Sequence, residues 1–280
     1  MKAPLVSILV LAASLAGQGE VPKPVQEPER ADASTVLAEI LESFKKERIE
    51  LDAKARTVTI PVVVNQPQDP IEYLLIHRRG KKHESMFITE TKPSVLNAAL
   101  LMVGLSKGLN ATFEEKKPAP TLEEVQSGVD PVIVTPPKGK PYFMTVRWTT
   151  PEKQVVEHCI EDLLLELSTQ KPVGKCEWIY LGGRMAQIYK DDPEVYVADL
   201  EGNLISVCYM SPDNHLGTMS HEGARDDQNW WVTNKLPEPG TEMKFIFHAI
   251  KPALHVKREK RLLAESKAKS SEPKQDEIKK

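Results

Sequence analysis

The chain is organised around the stretch E-Y-L-L-I-H-R-R-G-K-K-H-E-S-M-F-I-T-E-T-K-P, which runs from Glu72 to Pro93. Its apolar segments predict strands over residues 72–77 and 83–89, and Gly80 between them predicts the turn of a β-hairpin. Pro93 suits the first turn of a helix, where its missing N–H has no consequence. The run that follows, to Leu105, is apolar on nearly every side, which is typical of a buried helix. We therefore expect a polar hairpin beside a helix that packs under its sheet.

A helix and two strands are predicted before this stretch. Residues 34–46 repeat apolar side chains at helical spacing, which indicates an amphipathic helix. The strands follow over residues 49–51 and 56–65, and in the second the apolar residues from Val58 to Val64 share one face by the period of two. Pro61 cannot donate to a ladder, so this strand lies at a sheet edge or carries a bulge.

After the helix, a Pro-rich connection over residues 111–140 leads to a strand at residues 142–148. Thr150-Pro151-Glu152 has the composition of a helix start, and apolar residues from Val155 to Leu167 recur at helical spacing. This pattern predicts a helix that buries Cys159 and leaves His158 in solvent.

The last part of the domain predicts mainly strands. They cover residues 177–181, 195–200, 204–210, 230–232 and 243–250. The second and third form a hairpin turned at residues 201–203, and a polar loop covers residues 211–229. Such short turns favour antiparallel pairing.

These elements predict an α+β fold, with a mostly antiparallel or mixed sheet and two or three packed helices. The domain spans residues 34–253 and is followed by a charged tail over residues 254–280. Two similar halves, residues 34–110 and 141–253, are an alternative to one undivided body, and the sequence leaves this open.

The N-terminus predicts export. One positive charge at Lys2 precedes an apolar run that ends at Ala16, which is typical of a signal peptide over residues 1–16. The run is shorter than the roughly 20 residues of a transmembrane helix. A disordered spacer, rich in Pro and Glu, is expected over residues 17–33. We expect a soluble periplasmic or extracellular protein with no membrane span after cleavage, and the net charge of −3 gives no reason to expect nucleic acid as a partner.

The cysteines are Cys159, Cys176 and Cys208, so at least one is unpaired within the chain. Export permits a disulfide, and Cys176 with Cys208 is the best candidate pair. Cys159 is expected to be a buried, inert thiol. The chain has no C-x-x-C motif, so ligands for an iron–sulfur cluster or a zinc ribbon are lacking, and we predict no cofactor.

Several blocks resemble the YdjY family of exported bacterial proteins. They lie, in order, at residues 64–66, 71–77, 80–87, 96–105, 178–185, 198–205 and 237–241. The resemblance covers roughly residues 49–250. The family is uncharacterised, so the resemblance implies neither a reaction nor a substrate. Its members are sometimes labelled ferredoxin-like, and this chain lacks the cysteines for that role.

The polar turn is the candidate site. A binding patch of Glu72, Lys82, His83, Glu84 and Ser85 is one hypothesis, and groups that only bond the turn and cap the helix are the other. His83 with Ser85 suggests a base and a nucleophile, but no G-x-S-x-G motif supports a hydrolase. A metal would require His83 and Glu84 to meet a ligand such as His215, His221 or Glu222 from the polar loop.

We therefore expect an exported, non-enzymatic binding or interaction module of the cell envelope. Its partner would be an envelope protein or a cell-surface component. The alternative is a metal-dependent or hydrolytic accessory enzyme centred on His83, Glu84 and Ser85. Adjacent Trp230 and Trp231 would face opposite sides of a strand, one in the core and the other on a stacking surface or in a second core contact.

Overall fold

The computed structural model describes residues 32–65 and 70–271. The predicted signal peptide, nearly all of the predicted spacer and the end of the charged tail lie outside these residues. The helices are α1 (Ala33–Lys46), α2 (Pro93–Met102), α3 (Leu122–Gln126), α4 (Val197–Glu201) and α5 (Ala253–Ser271).

Strands make up most of the remaining regular structure. They are β1 (Glu50–Asp52), β2 (Thr57–Val64), β3 (Tyr73–His77), β4 (Ser85–Thr89), β5 (Thr112–Glu115), β6 (Val132–Thr135), β7 (Pro141–Thr149), β8 (Val155–Cys159), β9 (Leu164–Glu166), β10 (Lys171–Pro172), β11 (Glu177–Tyr180), β12 (Met185–Ala186), β13 (Val195–Tyr196), β14 (Asn203–Ser206), β15 (Gly217–Ser220), β16 (Trp230–Val232) and β17 (Glu242–His248).

Eight of these strands close into a barrel in the order β2-β17-β7-β11-β15-β14-β3-β4. Closure occurs where β4 returns to β2, with Val63 opposite Ile88 and Val64 opposite Phe87. The pairs β3–β4 and β14–β15 are parallel, and the other barrel pairs are antiparallel. The predicted α+β class with a mixed sheet is confirmed, and each half of the chain contributes one continuous arc of strands to the barrel.

Strand β2 follows its sequence pattern closely. Val58, Ile60, Val62 and Val64 are all buried, as the period of two predicts. The Pro61 carbonyl accepts a hydrogen bond from Thr89 Oγ1 at 2.8 Å. Because N and C=O of one residue point to the same side of a strand, the missing N–H of Pro61 faces β4 and leaves the ladder to β17 intact.

The core combines rings from the barrel with one face of α2. Phe245 packs edge-on against Phe87 at 5.8 Å and tilts against Phe247 at 4.9 Å, measured between ring centroids. Leu96 and Leu100 of α2 are buried, and α1 and α4 both contact this helix. The helix predicted from residue 93 is confirmed, although Leu101 and Met102 at its end are exposed.

The predicted hairpin over residues 72–89 is wrong, because its two strands run parallel. Tyr73 lies opposite Ser85 and His77 opposite Thr89, so residues 78–84 return along the strand before β4 begins. The reversal depends on distant backbone: the His77 N–H donates to the Gly202 carbonyl at 2.7 Å. A contact to a residue so far along the chain has no local sequence signal.

The predicted helix between Thr150 and Leu167 is also wrong. Residues 150–154 form a turn in which the Thr150 N–H donates to the Gln154 carbonyl, and Lys153 has a positive φ of 62°. Strand β8 then pairs with β7 along its whole length. His158 is therefore a strand residue, and its ring stacks on Trp148 at 5.3 Å instead of being solvated on a helix.

Other segments form regular elements that differ from the predicted strand or loop. Residues 197–201 form α4 where a hairpin strand was predicted, and the loop at 211–229 contains β15. The connection at 111–140 contains the two-stranded sheet of β5 and β6. Trp230 is fully buried, and Trp231 is partly buried.

The candidate pair Cys176 and Cys208 is not joined by a disulfide, and all three cysteines are free thiols. Cys159 is buried, as predicted, but at the end of β8. The first turns of α5 pack on the barrel, with His255 and Arg258 buried. Within the part of the chain that the structure describes, no helix is long and apolar enough to cross a membrane.

Candidate ligand-binding cleft

The returning segment 78–84 approaches the turn after α4 very closely. The Lys81 N–H donates to Asn203 Oδ1 at 3.2 Å. A Cβ on Gly80 would lie 2.7 Å from the Gly202 carbonyl oxygen, and a Cβ on Gly202 would lie 2.6 Å from the Gly80 nitrogen. Only glycine fits at these two positions, because a Cβ at either one would overlap the facing backbone. The contact between Gly80 and Gly202 places Lys81 beside β14.

Lys81 joins two carboxyl groups into one charge network. Its Nζ lies 2.8 Å from Glu72 Oε2 and 3.1 Å from Glu84 Oε2. Burial raises the pKa of Glu72, and its hydrogen bond with Glu84 acts in the same direction. Burial opposes ionisation of Glu84, but hydrogen bonds from Glu72 and Lys81 outweigh it and lower the pKa of Glu84. Glu84 therefore ionises more readily than Glu72.

The five predicted site residues have different environments. Glu72 and Glu84 keep 14% and 28% of their side chains exposed, and both contact Lys81. His83 is 76% exposed, with Nε2 at 3.2 Å from Glu84 Oε1, and Lys82 is also exposed. Ser85 is buried: its Oγ accepts from Asn65 Nδ2 at 3.0 Å and donates to the Lys82 carbonyl at 3.2 Å.

A polar cleft of about 440 Å³ lies beside this network. Its walls include Tyr73, Lys81, Asn203, Ser211 and His215. The Lys81 ammonium lies 5.8 Å from the centroid of the Tyr73 ring, within the range of a cation–π contact. The cleft therefore joins the predicted polar turn to the polar loop of the second half.

His215 supports the cleft from within. It is buried, and its Nε2 lies 3.1 Å from Ser206 Oγ, which donates to Thr218 Oγ1 at 2.8 Å. Burial lowers the pKa of His215 to about 4, so the imidazole is neutral at neutral pH. A neutral ring bonded to buried hydroxyls acts as a rigid wall rather than as a base that meets substrate.

The metal hypothesis for the polar turn does not match these positions. His83 faces Glu84, His215 faces Ser206, and His221 Nδ1 lies 3.9 Å from Glu166 Oε1. The cluster of three metal-ligating groups that the described residues contain is elsewhere, at Cys159, Glu161 and His255.

Sequence reasoning missed Lys81, which holds the charge network together. Lys81 and Lys82 are adjacent and chemically identical, so the sequence gives no signal for which one turns inward. The contact with Asn203 decides it, and this contact exists only in the folded chain.

The fold and the cleft together define an α+β protein with a closed mixed barrel and a polar surface cleft. Residues 49–248 match the YdjY domain, and the chain therefore belongs to the YdjY family. Comparison with curated proteins and comparison with solved structures gave no match.

Proposed function

We propose that this chain is an exported, non-enzymatic binding module of the cell envelope, and that its cleft binds a polar, uncharged segment of a partner protein. The observation that carries the proposal is Lys81, which lines the cleft while Glu72 and Glu84 hold its ammonium group. Both carboxyl groups lie within 3.1 Å of the ammonium, so Lys81 is not free to bind an anion, and the other charged group of the cleft wall, Glu201, accepts from Asn214 Nδ2 at 2.7 Å. Peptide amides and hydroxyl groups are the ligands that suit such a surface.

The environment of the predicted nucleophile supports binding over catalysis. A serine nucleophile needs a base within hydrogen-bond reach and access to the substrate. The Ser85 hydroxyl is instead buried and bonded to Asn65 and Lys82, where it fixes the returning segment. The alternative enzyme centred on His83, Glu84 and Ser85 has correspondingly weaker support.

Site-specific photo-crosslinking in living cells tests the proposal. A photoreactive amino acid replaces Ser211, which is exposed in the cleft wall, and in a matched strain it replaces Ser168, which is exposed outside the cleft. We expect a discrete crosslinked product in the envelope fraction from position 211. Lys81→Ala in the same chain should remove it, because the cleft loses its central contact.

Equal crosslinking from both positions, or products that persist with Lys81→Ala, would overturn the cleft as the binding surface. Export is tested separately by the N-terminal residue of the purified chain. We expect cleavage before Gly17, and an intact N-terminus in the cytoplasmic fraction would contradict export.

A further inference from the structure

Three buried groups of complementary chemistry meet beneath α5, next to the end of β8. Cys159 ends β8, Glu161 follows in a short 3₁₀ helix, and His255 lies in the first turn of α5. Their exposed fractions are 1%, 3% and 5%. None of these residues belongs to the cleft at Lys81.

The atoms of these groups face one another at close range. Cys159 Sγ lies 3.5 Å from His255 Nδ1, and Glu161 Oε2 lies 3.2 Å from His255 Nε2. Among the described residues, neither Glu161 Oε2 nor His255 Nε2 has a hydrogen-bond partner of acceptable geometry, although both are buried. Buried polar atoms are normally hydrogen-bonded, and a cation held between the carboxylate and the imidazole would give both atoms a partner.

Neighbouring residues hold the ligand atoms in place. Trp178 Nε1 donates to Glu161 Oε1 at 3.0 Å, which orients the carboxylate and leaves Oε2 available. Arg258 of α5, whose charge acts on Glu161, is bonded to Asp162 Oδ1 and to the carbonyls of Val173 and Gly174. Its guanidinium is thus committed elsewhere and does not occupy the position facing Glu161.

The ligand set fits a zinc-like ion. Zinc binds Cys sulfur, His nitrogen and Glu oxygen at about 2.0–2.3 Å, so tetrahedral ligands lie roughly 3.2–3.7 Å apart. The separations of 3.5 Å and 3.2 Å fall in this range, and one donor atom from each residue lies within 4.8 Å of the others. The 3.5 Å and 3.2 Å separations involve different nitrogens of the His255 ring, Nδ1 and Nε2. An ion would bind one ring nitrogen together with the residue next to it, and the remaining residue would move towards the ion.

The fourth position has space. A cavity of about 700 Å³ beneath α5 is lined by Glu161 and His255, together with Cys176. Three protein ligands with one position left to water or a small ligand is the pattern of an open zinc site. We propose that Cys159, Glu161 and His255 bind a zinc-like divalent ion, with its fourth position open to this cavity.

Metal binding by the full chain, purified without an affinity tag or chelator, tests the proposal. We expect one zinc ion per chain by elemental analysis, and a near-ultraviolet thiolate charge-transfer band when Co²⁺ is the probe. Cys159→Ser and His255→Gln should each weaken Co²⁺ binding by more than about tenfold, since even the loss of an outer-shell partner has an effect of that size. The matched controls, Cys208→Ser and His158→Gln, should bind as the wild type does.

One variant keeps the test decisive even where Cys159→Ser fails to fold. The double substitution Cys176→Ser with Cys208→Ser leaves Cys159 as the sole thiol of the chain. A charge-transfer band in this variant, removed by a chelator, supports the site. Its absence, or a band that survives in folded Cys159→Ser, would overturn it.

Discussion

Gly202 is the residue on which the cleft geometry depends most directly. It has a φ of +76°, and a Cβ there would lie 2.6 Å from the Gly80 nitrogen. Gly202→Ala therefore combines a left-handed conformation, at about 1–2 kcal/mol, with an overlap of about 1–3 kcal/mol. We expect a loss of about 3 kcal/mol in the free energy of unfolding, measured by urea denaturation.

Gly240 provides a control for the backbone part of this effect. Its φ is +85°, but a Cβ there would meet nothing within 4 Å. Gly240→Ala should lose only the conformational part, about 1–2 kcal/mol. Equal losses at the two positions would show that the contact between Gly80 and Gly202 is not tight.

His215 should make stability depend on pH. Burial lowers the pKa of its imidazole from 6.5 to about 4, so between these values the unfolded chain binds a proton that the folded chain does not. This contribution is fully present above pH 6.5 and is lost as the pH falls towards 4. Its size is up to about 3 kcal/mol, from 1.36 kcal/mol per pKa unit.

The measurement compares urea midpoints of wild type and His215→Gln at pH 7.5 and pH 4.5. The variant should lose less stability across this interval, because it has no imidazole to protonate at that position. His83→Gln, at a side chain that is 76% exposed, is the control and should follow the wild type. Parallel curves for wild type and His215→Gln would contradict a buried neutral imidazole.

The segment after β7 shows why one element could be predicted and another could not. Strand β2 alternates buried and partly buried residues along its whole length, and this period is local information. Thr150-Pro151-Glu152 reads equally well as a helix start or as a turn, and the pairing of β8 with β7 decides for the turn. Pairing of this kind is tertiary, so it overrides helix propensity without a sequence signal.

Substitution at Lys153 distinguishes the turn from the predicted helix. Lys153 has a φ of +62°, which is unfavourable for any residue except Gly. Lys153→Gly should therefore be neutral or raise the free energy of unfolding by up to about 1 kcal/mol. In a helix the same change would lower it by about 1 kcal/mol.

The control for this turn is Gln154→Gly. Gln154 accepts the Thr150 N–H through its carbonyl and does not have a positive φ, so added backbone freedom should lower stability by about 0.5–1 kcal/mol. If Lys153→Gly destabilised the protein as much as Gln154→Gly, the left-handed conformation at Lys153 would be wrong.

Helix α5 is fixed to the barrel by Arg258 although its sequence is that of a charged tail. Its Nε lies 2.9 Å from Asp162 Oδ1, and Arg261 Nη2 lies 2.6 Å from the same oxygen. Arg258→Ala removes one buried partner and frees two carbonyls, so we expect a loss of about 3 kcal/mol in the free energy of unfolding. Lys257→Ala, exposed on the same helix, should change it by less than about 0.5 kcal/mol.

Limited proteolysis is a second, independent test of the role of Arg258. Cleavage in α5 should become faster in Arg258→Ala, because the helix is released before the barrel unfolds. Equal protection of α5 in Arg258→Ala and Lys257→Ala would show that Arg258 does not hold the helix in place.

At the scale of the whole molecule, the barrel joins the two halves that the sequence suggested. Strands β2 and β3 come from the first half, and their neighbours β17 and β14 come from the second. Strands such as β2, β7 and β17 could be predicted from their apolar periods. Their order could not, because barrel closure depends on pairings between residues far apart in the chain.

The two seams between these arcs, β2–β17 and β3–β14, predict that the folded protein survives a cut between its halves. A protease site inserted after Ala119 lies in an exposed part of the connection, so it can be cleaved in the folded protein. The two fragments should then co-elute on size exclusion and keep their near-ultraviolet circular dichroism, because β2–β17 and β3–β14 both hold them together.

The first fragment expressed alone is the control. Its strands β2 and β3 would each lack a partner, and such open edges favour aggregation over a folded state. Fragments that separated after cleavage, each with native near-ultraviolet signal, would contradict a barrel shared between the halves. If the cleaved fragments co-elute and then unfold in urea with a single midpoint, barrel closure makes the two halves one cooperative unit, since neither can complete its sheet alone.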